Sequence, residues 1–405
     1  MDSRRQFLEK MTGLAGTLAL PAQTVLGAND RIRLGLIGCG ARGSELVLQT
    51  RRCPGAEIVA CADIYSRRLE DLRRLLPSAA THSDYRRLLD DKSIDAVMIA
   101  TPQHLHARHF IDALDAGKHV YLEKTMAFTL DDAHRMRAAF ENARGRNTPG
   151  RVVQIGHQSC SSGHLADARA FLASGRVGRI TAIAMRMYRN TPHGKPQWTR
   201  PLYPDMTPAN IDWDAFLGDA PARPFDAHRY LNWRCFDDYS GGNVHENMSH
   251  QLAFWYKALS LAIPASATMT GGVYLWKDGR EVPDTMSVVM EQPEEMLVTW
   301  DSGFGNNQPG VTEEVLGTDG TIQRGQHIRY LPQKVNRPQD VEETGRTPTA
   351  RHAHMQDFLD SIRLSREPSC PFDLGWRVSV ACAMAVESYR QQRTLRWNAG
   401  QEQII

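Results

Sequence analysis

Arg33-Leu-Gly-Leu-Ile-Gly-Cys-Gly-Ala-Arg-Gly-Ser-Glu45 is the stretch that decides the fold. Leu34 to Ile37 is an apolar run long enough for one buried strand. It empties into Gly38-Cys39-Gly40-Ala41-Arg42-Gly43, a G-x-G-x-x-G turn. The first glycine permits a tight turn, the second lets the backbone approach a pyrophosphate, and the third lets the next helix pack close. Ser44 to Leu48 reads as that helix, and its amino-terminal N–H groups and dipole favour a phosphate. Glu57-Ile-Val-Ala-Cys-Ala-Asp63 is a second strand-like run ending in an acid, twenty positions after Gly43. A carboxylate there bonds the ribose hydroxyls of a dinucleotide. A glycine turn beside an unrelated surface aspartate could supply these residues, but not strand, turn, helix, strand and acid in order. Asp63 favours NAD, because the 2′-phosphate of NADP would sit against its charge; Arg42, Arg67 and Arg68 leave NADP open.

The strand–helix rhythm continues to about residue 150. Helices are predicted over Tyr65–Leu76, Asp84–Asp90 and Leu105–Ala116, and strands over residues 93–100 and His119–Lys124. Alternation of this kind specifies a doubly wound parallel sheet that binds ligands beyond the carboxyl ends of its strands. Thr101-Pro102 and Glu123-Lys124 both fall at such ends. The predicted organisation is therefore a Rossmann domain over 31–150 and an α+β domain over 151–350 with a large, open, mostly antiparallel sheet. Helices over 351–405 return to the domain interface. The second sheet is read from period-two alternation in 179–189, 285–291, 296–301, 312–318 and 321–331. Residues 190–235 are rich in Pro, Trp and Arg and read as a long irregular excursion.

Residues 1–30 stand apart. Ser3-Arg4-Arg5-Gln6-Phe7-Leu8-Glu9-Lys10 is a twin-arginine pattern, followed by a small-residue, uncharged stretch too short to span a bilayer. It predicts export of the folded protein to the periplasm or beyond, although a basic amphipathic start of a cytosolic protein has similar residues. A chain of 405 residues has ample length for two cores. Its formal charge of +2 gives no electrostatic reason to expect nucleic acid. No later segment reaches membrane-span length. Seven cysteines with no C-x-x-C spacing read as free buried thiols.

Two stretches carry candidate chemistry. Lys124 closes a strand where an ammonium could hold a substrate oxygen, although a surface lysine after a strand looks the same in isolation. Ser240-Gly241-Gly242-Asn243-Val244-His245-Glu246-Asn247-Met248-Ser249-His250 places Glu246 and His250 four apart. On a regular helix they would share a face as an acid–base pair. A helix start capped by Asn243 with an incidental histidine is the plainer reading. His245 and His250 are five apart, not the four a zinc-protease helix needs, so no metal is expected.

Together these residues resemble the Gfo/Idh/MocA family of glucose–fructose oxidoreductase, inositol dehydrogenase and rhizopine-catabolism proteins. The resemblance rests on Gly38-x-Gly40-x-x-Gly43, Thr101-Pro102 with His106, Glu123-Lys124, and Gly241-Gly242 with an acid and His250. His354-x-x-Asp357-Phe358 and Leu395-Arg396-Trp397 also fit. It implies a sugar or cyclitol between a Rossmann and an open-sheet domain, Lys124 as a catalytic residue and His250 as its acid–base partner. Thr125 stands where the family usually has proline, Glu246 where an aspartate is common, and His245 is additional. The expected catalytic set is thus Lys124, His250, Glu246 and His245. Cofactor contacts are expected from Gly38, Cys39, Gly40, Arg42, Gly43, Asp63, Thr101, Pro102, His106, Glu123 and Lys124. Substrate contacts are expected from Arg186, Tyr188, Trp198, Trp233, Arg234 and Tyr239, and residues 190–239 resemble an exported subgroup. The expected activity is NAD-dependent oxidation or reduction of a carbohydrate by a homo-oligomer with retained, internally recycled cofactor. Redox-neutral glycoside cleavage and non-catalytic sugar or nucleotide binding stay as alternatives.

Overall fold

The computed structural model describes residues 31–145, 150–350 and 352–405. The twin-arginine reading falls on residues outside these. Six strands form the first sheet: β1 (Ile32–Ile37), β2 (Ala56–Ala62), β3 (Ala80–His82), β4 (Ala96–Ile99), β5 (His119–Leu122) and β6 (Val153–Ile155). Their order is β3-β2-β1-β4-β5-β6 and every pairing is parallel. The chain reverses its winding between β1 and β4, which opens a crevice beyond their carboxyl ends. Helix α1 (Ala41–Thr50) leaves β1 through the glycine turn. A Cβ on Gly43 would collide with the carbonyl of Gly38, so the helix lies against its own strand only because that position is bare.

The second sheet has ten strands. They are β7 (Ile180–Tyr188), β8 (Ser266–Gly272), β9 (Thr285–Gln292), β10 (Met296–Gly303), β11 (Val311–Gly317), β12 (Gly320–Arg324), β13 (Ile328–Pro332), β14 (Glu343–Gly345), β15 (Leu395–Asn398) and β16 (Gln403–Ile404). The order is β14-β13-β12-β11-β7-β10-β9-β8-β15-β16, and only β7 and β10 run parallel. Alternation assigns the faces. Ile183, Met185, Val288, Met290, Val298 and Trp300 are buried against helices α2 (Ser249–Leu259) and α4 (Phe372–Gln391). Arg186, Ser287, Val289, Leu297 and Asp301 stand on the other face and are exposed or half-buried. Helix α3 (Ala353–Arg363) packs Met355, Phe358 and Leu359 on the first sheet, in one cluster with Leu34, Leu36 and Met98.

Three sequence expectations are corrected. β6 pairs with β5, so the first domain extends past residue 150 to at least Ile155. The 321–331 segment is two strands joined by a turn, not one. The chain end is not only helical: β15 pairs with β8 and carries β16 at the sheet edge. All seven cysteines are free and buried. No helix among the described residues is long and apolar enough to cross a membrane.

Residues 190–239 have an aromatic core of their own, in which Trp213, Phe216, Tyr230 and Tyr239 gather around Tyr65 of the first domain. Main-chain hydrogen bonds from Ser66 N–H to Asn210 O (3.1 Å) and from Asp212 N–H to Ile64 O (3.0 Å) fix this segment beside the end of β2.

Phe358 is fully buried and meets the Tyr121 ring edge-on at 5.8 Å. Phe358→Ala should lower unfolding free energy by about 3–5 kcal/mol in urea titrations. A loss below about 1 kcal/mol would show that α3 does not seal the sheet.

Candidate active site

A cleft of about 1070 Å³ runs from the glycine turn, past the ends of β4 and β5, to the turn before α2. Gly38, Gly40, Arg42, Asp63, Thr101, Pro102, Glu123 and Lys124 all line it. The residues present fit a dinucleotide. α1 begins at Gly40 with no side-chain cap and no acid in its first turn, so its positive end is left for an anion. A Cβ on Gly38 would lie 2.8 Å from the Ala100 carbonyl group, and the backbone adopts φ +93° there. Asp63 is buried at the end of β2, its Oδ2 accepting from Cys39 N–H at 2.7 Å and its Oδ1 from Tyr65 N–H at 2.9 Å. Each oxygen keeps a lone pair for a ribose hydroxyl.

Three expected cofactor contacts are supports instead, and the first, Gly43, lies outside the cleft lining and lets α1 pack on β1. The Cys39 side chain is buried away from the cleft. His106 is buried, with Nδ1 at 2.8 Å from Thr125 O and Nε2 at 3.0 Å from Thr101 O, so it ties the two strand-end loops together from behind. The three arginines that left NADP open each face an acid. Arg42 binds Glu123 (2.7 Å) and Glu45 (2.8 Å), Arg67 binds Asp205 (2.8 Å), and Arg68 lies 3.7 Å from Asp63 while covering the Tyr230 ring.

At the far end the chemistry gathers on one carboxylate. Lys124 Nζ donates to Glu246 Oε2 (2.9 Å) and to Glu246 O (3.0 Å). Arg234 Nε donates to the same Oε2 at 3.0 Å, and Gln103 Nε2 to Oε1 at 2.7 Å. Burial pushes the Glu246 carboxyl up, but the charges of Arg234 and Lys124 and their hydrogen bonds prevail and hold it at about 2. Glu246 is thus an ionised, saturated anchor, not the acid–base partner of His250 expected from a four-residue spacing. The physical reason is local: Val244–Met248 is a π-helical turn, whose i→i+5 pattern breaks that spacing before α2 begins.

His250 lines the cleft and meets the buried His157 ring edge-on at 5.4 Å. Burial, then the Lys124 charge, pushes its pKa well below the ordinary imidazole value. His245 is corrected to a packing residue. It is fully enclosed beneath Gly241 and beside Phe128, neither ring nitrogen has a hydrogen-bond partner, and burial pushes it down to about 3.

Of the expected substrate contacts, Trp198, Trp233 and Arg234 line the cleft. Arg186 and Tyr188 do not, because their parity in β7 places them on the sheet face away from it. Tyr239 is buried against His104 and Phe216. Arg189 and Asn247 line the cleft and were not singled out from sequence, while the buried Gln103 holds Glu246 without lining it. Gln103 follows the Thr-Pro turn, and Arg189 follows the last residue of an alternating strand; position alone gave no chemical signal. Among the described residues, only Asp237, Asp238 and Glu281 cluster as metal donors. None lines the cleft, and Arg223 and Arg229 pair with those carboxylates.

Residues 32–150 match the oxidoreductase family described as having an NAD-binding Rossmann fold, GFO_IDH_MocA. The first domain is an NAD-binding Rossmann domain of the Gfo/Idh/MocA type. A 1-carboxy-3-chloro-3,4-dihydroxycyclohexa-1,5-diene dehydrogenase of Comamonas testosteroni is 34% identical over 161 residues, 39% of this chain and 38% of that protein. Glycosyl hydrolase family 109 protein 1 of Bacteroides fragilis is 36% identical over 124 residues, 28% of this chain and 27% of that protein. The matches therefore span well under half of these two relatives' lengths. A levoglucosan dehydrogenase solved with NADH and levoglucosan superposes with TM-score 0.70 at 19% identity, covering 90% of this chain and 99% of that one. That likeness extends the fold assignment across both domains.

Because the Glu246 carboxyl is held at about 2 against an ordinary 4.5, its stabilising contribution is complete above pH 4.5 and fades as pH falls towards 2. Glu246→Gln should therefore cost on the order of 3 kcal/mol at pH 7, where Lys124 loses its buried counter-charge. The gap from wild type should narrow in unfolding titrations run below pH 4. A gap independent of pH would remove the ion pair from the stability of this site.

Proposed function

We propose that the chain is a Gfo/Idh/MocA oxidoreductase using NAD to oxidise or reduce a hydroxyl-bearing carbon of a sugar, sugar derivative or cyclitol. The observation that carries this reading is the state of Lys124. An ammonium has three donors, and Glu246 holds two of them, leaving one for a substrate oxygen in the cleft. NAD supplies the hydride acceptor when bound. In the oxidising direction the substrate C–H leaves as hydride, the hydroxyl proton passes to the neutral His250, and the C–O bond becomes a carbonyl. Lys124 holds the oxygen through this change and stabilises its negative charge. Glu246 is a positioning residue. It fixes Lys124 without exchanging protons near neutral pH. Asp63, with Arg42, Arg67 and Arg68 each occupied by an acid, supports NAD over NADP.

Glycoside cleavage is the second reading, favoured by the similarity to a protein named as a family 109 glycosyl hydrolase. Transient oxidation acidifies the neighbouring C–H, elimination expels the aglycone as its alcohol, water adds to the resulting double bond, and return of the hydride to the carbonyl restores the cofactor. Incorporation of solvent deuterium beside the oxidised carbon, without net NADH, distinguishes it from net dehydrogenation. The twin-arginine pattern supports export with retained nucleotide. Exposed Val289 and Leu297 on the face of the second sheet away from α2 and α4 support self-association, which light scattering would measure.

Lys124→Met should reduce kcat by about two to four orders of magnitude, with NADH binding retained. Near-normal turnover would move the chemistry off Lys124. Because His250 stays neutral well below 6.5, the acid limb of the kcat profile should fall below that pH. An acid limb at 6.5 or above would exclude His250 as proton acceptor. Acid extracts of purified protein should contain stoichiometric nucleotide; stable, empty protein would overturn export of a loaded enzyme.

A further inference from the structure

The substrate end of the cleft carries more positive charge than its acids answer. Lys124 and Arg234 both direct donors to Glu246, so a single negative charge faces two cations there. Arg189 adds a third. Its guanidinium donates to Asn247 Oδ1 at 3.2 Å and to the Met187 sulfur, neither of them an acid. Burial pulls the guanidinium pKa down, with Glu246 the charge opposing that pull.

This arginine is held by a directional chain of buried groups. Ser302 Oγ donates to Met187 O, and Asn243 Nδ2 donates to Ser302 Oγ at 2.6 Å. Asn247 Nδ2 donates in turn to Asn243 Oδ1. Each link fixes the sense of the next, because an amide has one donor end and one acceptor end. The last acceptor, Asn247 Oδ1, is thereby turned towards Arg189. Asn243, Asn247 and Ser302 are all buried, so this is an interior network holding a cation at the cleft wall. A neutral polyol needs no such fixed charge. One guanidinium fork matches the two oxygens of one carboxylate.

We propose, building on the sugar oxidoreductase reading, that the substrate is an acidic sugar whose carboxylate pairs with Arg189. Lys124 and His250 act on a hydroxyl carbon of the same ring, and Trp198 and Trp233 border it. The carboxylate brings the negative charge that this end of the cleft lacks.

The test uses the NAD-loaded protein and matched pairs: glucuronate with glucose, galacturonate with galactose, and each sugar 6-phosphate. Turnover is read by NADH absorbance in both directions, and binding to the NADH complex by calorimetry. The uronate should exceed its neutral partner by about 100-fold in kcat/KM, in keeping with one charge-assisted bidentate contact. Arg189→Met should remove most of that ratio, and Arg189→Lys should restore part of it. NADH binding to each variant is the control for folding. Equal or better use of neutral sugars overturns the inference and leaves the oxidoreductase reading intact. Preference for sugar phosphates over uronates also overturns it. If no sugar is turned over, the oxidoreductase reading fails, and binding decides separately. Arg189-dependent affinity for uronates would then uphold the acidic-ligand site, and its absence would reject it.

Discussion

The contact on which the rest of this molecule depends is the buried ion pair between Lys124 and Glu246. Its two partners come from different domains: Lys124 follows β5 of the first, and Glu246 lies in the π-turn that leads into α2 of the second. Gln103 reinforces the join by donating to Glu246 Oε1 and accepting from Gly241 N–H at 3.1 Å. Thr125 Oγ1 adds a bond to His245 O at 2.6 Å. Buried pairs add little net stability against a well-packed apolar substitute, but breaking one leaves an uncompensated charge. Here the pair acts chiefly as a register pin, setting the strand ends of one domain at a fixed distance from the π-turn of the other.

The same pair divides the labour of the site. A carboxylate held at about 2 exchanges no protons near neutrality, so Glu246 contributes geometry and field. In the proposed reaction proton traffic is left to His250, which burial and the Lys124 charge keep neutral. His157 beside it is pushed to about 3 and has no hydrogen-bond partner on either nitrogen. Two rings in edge contact therefore meet without a charged acceptor between them.

How much of this was legible beforehand follows from how local each signal is. The glycine turn, Asp63, Thr101-Pro102 and Glu123-Lys124 read correctly as lining one cleft because strand–turn–helix patterning is written in consecutive residues. The doubly wound sheet and the open second sheet were legible for the same reason. Glu246 and His250 were misassigned as a pair because a π-turn cannot be told from an α-helix by residue spacing. His245 looked chemical by type, yet its packing under Gly241 is a tertiary fact. Alternation puts Arg186 and Tyr188 on one face of β7, but which face meets the cleft depends on where α2 and α4 dock. Arg189 was invisible: its significance comes from Asn243, Asn247 and Ser302, which only the fold assembles.

Residues 190–239 touch both ends of the cleft. Main-chain bonds of Asn210 and Asp212 hold them to the loop after Asp63, while Trp198, Trp233 and Arg234 from the same segment border the substrate end. The second domain grips the segment as well, through Arg280 to Gln197 O at 2.8 Å and through Trp198 against Phe304 at 4.9 Å. The dinucleotide end of the cleft and its proposed sugar end therefore share one wall. Any ligand that favours one position of that wall changes the affinity of the other pocket, and by thermodynamic linkage the effect is equal in both directions. Any such coupling would run without a moving domain, through a single stretch of chain anchored on both sides.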